Sequence, residues 1–213
     1  FADTSAPVIA NEFMWGLGTT LYSLAYGRMG DDAVAAITIA TTIQDIFVVL
    51  FQGLSAATAV ILGNELGAGK IKRAEKYATQ FFILQFLVTV TADILLVLGR
   101  WKIIGIYNIT PQVAQDVNRC LLVFALYMPA KMFNYVNVVG VLRSGGDTKM
   151  CLFLDTSGVW FLGVPLAFLG AFLSNLPIYG LYALVLTEEI YKAILGYLRY
   201  RQKKWLKNLA VQV

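Results

Sequence analysis

The chain has 213 residues, of which 58% are hydrophobic and only 14% charged, and its mean hydropathy is +0.67. A soluble domain carries about 25% charged residues, so a globule of this size would have too few charges to coat its surface. An ordinary soluble enzyme and a disordered chain are both excluded, and an integral membrane protein remains. The net charge of +4 comes from 17 basic and 13 acidic residues, too small an excess to suggest nucleic acid as a partner. Histidine is absent, which removes the usual general base, proton shuttle and metal ligand. No Ser/His/Asp, Cys/His or metal constellation can be assembled, and no enzymatic activity is expected. Cys120 and Cys151 stand in apolar surroundings, where neither a metal pair nor a structural disulfide is expected.

A bilayer core takes about 20 apolar residues as helix. Six such runs follow one another: Pro7–Gly27, Ala33–Leu62, Gln80–Leu98, Leu121–Leu142, Met150–Leu173 and Pro177–Leu198. Turn-like segments separate them, at Met29-Gly30-Asp31-Asp32, Gly67-Ala68-Gly69-Lys70, Ile109-Thr110-Pro111, Ser144-Gly145-Gly146-Asp147 and Ser174-Asn175-Leu176-Pro177. Backbone groups cannot be left bare in lipid, so helices are the default. The runs are long and continuous, unlike the alternating strands of a barrel. The expectation is an all-α integral membrane protein, a single domain over residues 1–213, with six spans and a basic tail at 199–213. The short connections make neighbouring helices antiparallel. Phe1, not Met, opens the sequence, which fits a fragment of a longer chain.

Six spans put both termini on one side of the membrane. That side collects Lys70, Lys72, Arg73, Lys76, Arg143, Lys149, Arg199, Arg201, Lys203, Lys204 and Lys207, whereas the other holds Arg28, Arg100, Lys102 and Arg119. Basic residues accumulate in cytoplasmic loops, so both termini are expected to be cytoplasmic. The basic tail reads as a topology anchor near anionic headgroups.

Ionisable groups at membrane depth are costly and mark function by default. Glu12, Asp45, Asp93, Lys131, Asp155 and the group Glu188, Glu189 and Lys192 lie inside the runs. Helical spacing places Glu12, Gly16, Thr19 and Ser23 on one stripe, Thr38, Thr41, Asp45, Gln52 and Ser55 close to one face, and Tyr127, Lys131 and Asn134 on another, with Asn137 near it. Three polar stripes suggest a shared cavity, with interhelical hydrogen bonding as the plainer alternative. Glu188 stands four residues before Lys192, the favourable order for a helical ion pair, and is expected to be structural.

Three pieces together resemble a known family. They are Pro7 with Glu12; Gly53-Leu54-Ser55-Ala56-Ala57 followed by Ile61-Leu62-Gly63-Asn64-Glu65-Leu66-Gly67-Ala68-Gly69 and Ala74; and Gly140-Val141-Leu142-Arg143-Ser144-Gly145-Gly146-Asp147-Thr148-Lys149 followed by Trp160 and Gly163-Val164-Pro165-Leu166. The sequence resembles the C-terminal half of the multidrug and toxic compound extrusion (MATE) transporters. The resemblance implies a twelve-helix antiporter of two six-helix halves, exporting cationic or amphipathic small molecules by alternating access. It implies H+ or Na+ as coupling ion, no other cofactor, and residence in a bacterial cytoplasmic membrane. Partners would be the lipid bilayer, the substrate, and either an N-terminal six-helix half or a second copy. The family's coupling Glu in its seventh helix matches Glu12, near which Na+ is expected if it binds at all; the acid that many Na+-coupled members carry in the tenth helix is missing, and Lys131 and Asn134 stand in that stretch. Alternatives are a lipid-linked saccharide flippase of the same superfamily and a half-length remnant without transport.

Three expectations follow from the charges. Glu12 lines the cavity, so that Glu12→Gln abolishes ion-driven efflux. Lys131 lines the same cavity and is coupled to Glu12 electrostatically, without fixed contact, which tilts the balance toward H+. Arg143 and Asp147 are expected either as an ion pair fixing their loop or as ordinary solvated charges.

Overall fold

The computed structural model describes residues 2–174 and 176–207, with no side-chain detail for residues 2–5; the end of the expected basic tail lies outside the described residues. Among the described residues, six rods are built from seven α-helices. They are α1 (Ala2–Gly27), α2 (Asp31–Gly67), α3 (Ile71–Ile104), α4 (Pro111–Asn134), α5 (Thr148–Ser157), α6 (Val164–Leu173) and α7 (Ile178–Arg201). Wider π turns at Tyr135–Leu142 and Gly158–Gly163 continue α4 and join α5 to α6. Among the described residues, four rods are long and apolar enough to cross a membrane: Asp31–Gly67, Ile71–Ile104, Pro111–Leu142 and Thr148–Leu173. α7 has a similar length but carries Glu188, Glu189 and Lys192 along its middle.

The helices run past the apolar runs. α2 has 37 residues, about 55 Å at 1.5 Å per residue, against a hydrocarbon core of about 30 Å. Hydropathy marks where lipid ends, and the helix stops only where the backbone must turn. At the end of α2 the chain reverses through Gly69 at φ 72, with Lys70 N–H donating to the Glu65 carbonyl at 2.9 Å. The loop before α5 uses Gly146 at φ 74 in the same way, with Asp147 N–H donating to the Leu142 carbonyl at 3.1 Å. Only glycine enters this left-handed region without strain. α4 starts where Thr110 Oγ1 accepts from Val113 N–H at 3.3 Å and Pro111 takes the first turn, a position that needs no backbone donor.

α7 packs between the α4 rod and the α5–α6 rod; α1 lies along α5 and α6, and α2 along α4 and its π turn. The larger core runs through Phe51, Leu121, Phe124, Met128 and Leu181. A smaller one, of Leu62, Leu66, Ala78, Leu142, Leu154 and Trp205, closes one end. Ile46, Ile83, Leu98, Leu126, Phe161 and Leu173 point outwards and are exposed. In water so much apolar surface would drive association; in a bilayer it meets lipid. Lipid also removes the hydrophobic drive between helices, so close packing and interhelical hydrogen bonds hold the bundle.

That closed end brings together the start of α3, the Arg143–Asp147 loop and the end of α7. Arg199 donates from Nε and Nη2 to the two Asp147 oxygens, at 2.6 and 2.8 Å. Lys203 pairs with Glu75 at 2.5 Å, and Trp205, fully buried, stacks near Tyr200. The loop reading is therefore corrected. Arg143 and Asp147 do not pair with each other, and Asp147 is not a solvated charge but 6% exposed. The last turn of α7 delivers Arg199, whose guanidinium reaches both carboxylate oxygens, while Arg143 is turned to Glu12.

Candidate functional site

α7 carries the chemistry. Glu188 and Glu189 stand four and three residues before Lys192, so one ammonium reaches both: Lys192 Nζ lies 3.3 Å from Glu188 and 3.2 Å from Glu189. Two buried carboxylates need a second cation, and α4 supplies it. Lys131 Nζ lies 3.2 Å from Glu189. Asn134, one turn further on, donates to the Glu189 carboxylate and to its main-chain carbonyl, both at 2.8 Å. From α1, Tyr22 donates to Glu188 at 2.5 Å. Four helical charges on two rods thus cancel one another, with hydrogen bonds filling the remaining positions. The second π turn lets the rods close on this quartet. A Cβ at Gly163 would overlap the Tyr22 hydroxyl and Glu188, and one at Gly158 would press on the Lys192 stem.

A cavity of about 180 Å³ adjoins the quartet. Asn11, Glu12 and Trp15 line it from α1, Gln52 from α2, and Lys131, Asn134 and Tyr135 from the α4 rod, with Arg143 at the far end of that rod. Asp155 of α5 and Glu189 and Lys192 of α7 complete the polar wall. Glu12 pairs with Arg143 at 2.9 Å, and Asn11 Nδ2 donates to Asp155 at 2.9 Å. Among the described residues, no group of three or more His, Cys, Asp and Glu side chains is placed to hold a metal ion.

The structure brings Glu12, Lys131 and Asn134 to this one cavity. The Glu12 side chain is 58% exposed and its ion partner is Arg143, while the partner of Lys131 is Glu189. The stripe expected on α1 is displaced. Asn11, Gly18, Tyr22 and Ala25 form the buried face, and Thr19 and Ser23 donate to carbonyls of their own helix, Gly16 and Thr19. Thr19 and Tyr127 do not line the cavity, and Tyr127 packs on the larger core. Asp45 is exposed and away from the cavity; its neighbour Gln44 turns inward instead and accepts from Tyr182 at 2.5 Å. Of the loop motif, Gly69 and Gly146 make turns, Gly67 ends α2, Arg143 reaches the cavity, and Asp147 is held by Arg199. The helical pair expected of Glu188 and Lys192 is present, and the contacts of Glu189 with Lys192 and Lys131 go beyond it. The missed signal is arithmetic: two acids and one base in a membrane helix leave one acid unmatched, and Lys131 is a base without a partner on its own helix.

A helical bundle with exposed apolar flanks and a charged interior cavity is the construction of a membrane transporter. The profile of the MatE family matches residues 7–169, and the chain belongs to that family. The multidrug resistance protein MdtK of Yersinia pseudotuberculosis is 31% identical over 149 residues, covering 69% of this chain and 32% of that protein. The uncharacterized transporter YisQ of Bacillus subtilis is 20% identical, covering 95% of this chain and 44% of its own length. The chain thus spans less than half of the relatives it matches. Among solved structures, an outward-facing multidrug resistance MATE family transporter of the MOP superfamily superposes with a TM-score of 0.89 at 16% identity, over 99% of this chain and 47% of that one. A MOP superfamily transporter from Pyrococcus furiosus, described as having reverse polarity of its binding pocket, gives 0.88 at 17%, over 95% and 44%. At such identities these two likenesses establish the shared fold.

Proposed function

We propose that this chain forms one six-helix half of a cation-coupled antiporter that exports small cationic or amphipathic molecules by alternating access. The observation that carries this reading is the cavity between α1, α4, α5 and α7. Its cations, Lys131, Arg143 and Lys192, are each already matched to a carboxylate. That balance favours passage of cations over the anionic head of a lipid-linked saccharide. The basic end of the bundle, with Arg199, Lys203 and the Arg143–Asp147 loop, faces the cytoplasm of a bacterial cell in this reading, by the distribution of basic residues. An N-terminal six-helix half or a second copy completes the pathway.

Ethidium efflux tests the reading. Cells lacking their major exporters and expressing the complete gene product should accumulate less ethidium, and an H+ or Na+ gradient with the higher concentration inside everted vesicles should drive ethidium into their lumen as the ion leaves. Accumulation equal to that of empty cells, with the protein present in the membrane, would contradict it. Cysteine labelling at position 72 from the cell exterior would contradict the orientation.

A further inference from the structure

The closed end of the bundle holds a second cavity, of about 400 Å³, between the start of α3 and the end of α7. Glu75 lines it from α3, Tyr197, Tyr200 and Arg201 from the last turns of α7, and Lys203 and Trp205 from the segment that follows. That segment doubles back. Lys203 takes the left-handed region at φ 57, which a residue with a side chain enters only at a cost, and the return buries Trp205 completely. Gly145 permits the approach, since a Cβ there would overlap the Trp205 carbonyl. The carbonyls of Leu198, Arg199 and Tyr200 accept from the Gln202 and Lys203 N–H groups, so the negative end of the helix dipole is capped.

Two donors in this wall have no acceptor among the described residues. The indole N–H of Trp205 is buried and unpartnered, although a buried Trp N–H ordinarily finds a partner and leaving it bare is costly. Arg201 is exposed and makes no ion pair or side-chain hydrogen bond. The carboxylate in the wall, Glu75, is already taken by Lys203 at 2.5 Å. A buried donor and an unmatched guanidinium at one cavity call for an anionic acceptor. Position says which. The apolar runs end at Gln80 and Leu198, so the cavity sits just beyond the hydrocarbon, at the level where Tyr and Trp meet headgroups. From it Leu198, Tyr197, Ile194 and Ile190 lead along one exposed face of α7 toward the middle of the membrane. A free phosphate would leave that apolar track unused, whereas an acyl chain fills it.

We propose that this cavity binds the headgroup of one anionic phospholipid. The Trp205 N–H and the Arg201 guanidinium donate to its phosphate oxygens, and an acyl chain lies along Ile194 and Ile190. General attraction of a basic tail to an anionic surface needs neither a buried indole donor nor a chain folded back to present it. The site is independent of the transport reading above and of which side of the membrane this end faces.

The test is native mass spectrometry of the purified complete gene product, released from detergent micelles doped with phosphatidylglycerol or with phosphatidylcholine. One phosphatidylglycerol should be retained saturably and in preference to phosphatidylcholine, and excess inorganic phosphate should not displace it. Trp205→Phe keeps the aromatic ring and removes the N–H; it should weaken retention about tenfold, the loss of one buried hydrogen bond to a charged group. Arg201→Gln, at an exposed position that does not endanger folding, should weaken it about threefold, the worth of a solvent-screened ion pair. Lys72→Gln removes the same charge from an exposed position at this end of the bundle but outside the cavity, and should leave retention unchanged. Size-exclusion profiles establish that each variant is folded. Equal retention of the two lipids, or full retention by both Trp205→Phe and Arg201→Gln, would overturn the site. A loss in Lys72→Gln as large as in Arg201→Gln would overturn it in favour of general surface attraction, and displacement by inorganic phosphate would overturn it in favour of a free anion.

Discussion

Two places in this bundle bury ion pairs, and they are built differently. At the closed end Asp147 and Arg199 form one forked pair, capped by the segment carrying Trp205. In the middle of α7 two carboxylates and two ammoniums from two rods share contacts beside a cavity. The forked pair satisfies both carboxylate oxygens with one partner and leaves nothing to exchange. In the quartet Glu189 touches both ammoniums and Lys192 touches both carboxylates, so these two link Lys131 and Glu188 into one chain of contacts across the rods. The first arrangement suits a fixed clamp, and the second suits a link between rods beside a cavity.

The largest effect separating them is expected at Lys192, which touches both glutamates. Lys192→Met leaves two carboxylates with Lys131 alone, and breaking a buried pair this way costs about 3–5 kcal/mol. Unfolding in SDS followed by circular dichroism should show it. Asp147→Ala strands Arg199, but that side chain is 18% exposed and reaches water. The loss should be nearer 2 kcal/mol, the worth of hydrogen bonds to a charged group, with ethidium efflux rates falling less than for Lys192→Met. Tyr22→Phe removes one donor from Glu188 and should cost about 1.5 kcal/mol by the same measurement. Glu12→Gln breaks a pair whose acid is largely exposed and should change stability by less than about 1 kcal/mol.

The same contrast explains what could be read from the residues alone. The turns were legible because glycine at Gly69 and Gly146 leaves few other conformations to expect, and the apolar runs marked the rods because lipid permits no bare backbone. The buried face of α1 was not legible. Thr19 and Ser23 look like a polar stripe, but their hydroxyls bond to the preceding turn of their own helix and so do not need an interior partner. Asn11 and Tyr22, one step around the helix, point inward because Asp155 and Glu188 await them from rods far away in sequence. The partner of Asp147 was hidden for the same reason. Arg143 is near in sequence, while Arg199 arrives only when the last rod folds back. Glu189 shows the reverse case, where counting charges along α7 demands one further cation from another rod, and Lys131 supplies it.

The central claim is that the quartet acts as one electrostatic unit across α4 and α7. A double-mutant cycle of Lys131→Met and Glu189→Gln, read as free energy of unfolding in SDS, tests it directly. Each single substitution leaves an unmatched buried charge of opposite sign, whereas the double variant keeps Lys192 balanced by Glu188. The double variant should therefore lose at least about 1 kcal/mol less stability than the sum of the two single losses. Additivity within about 0.5 kcal/mol would contradict the account.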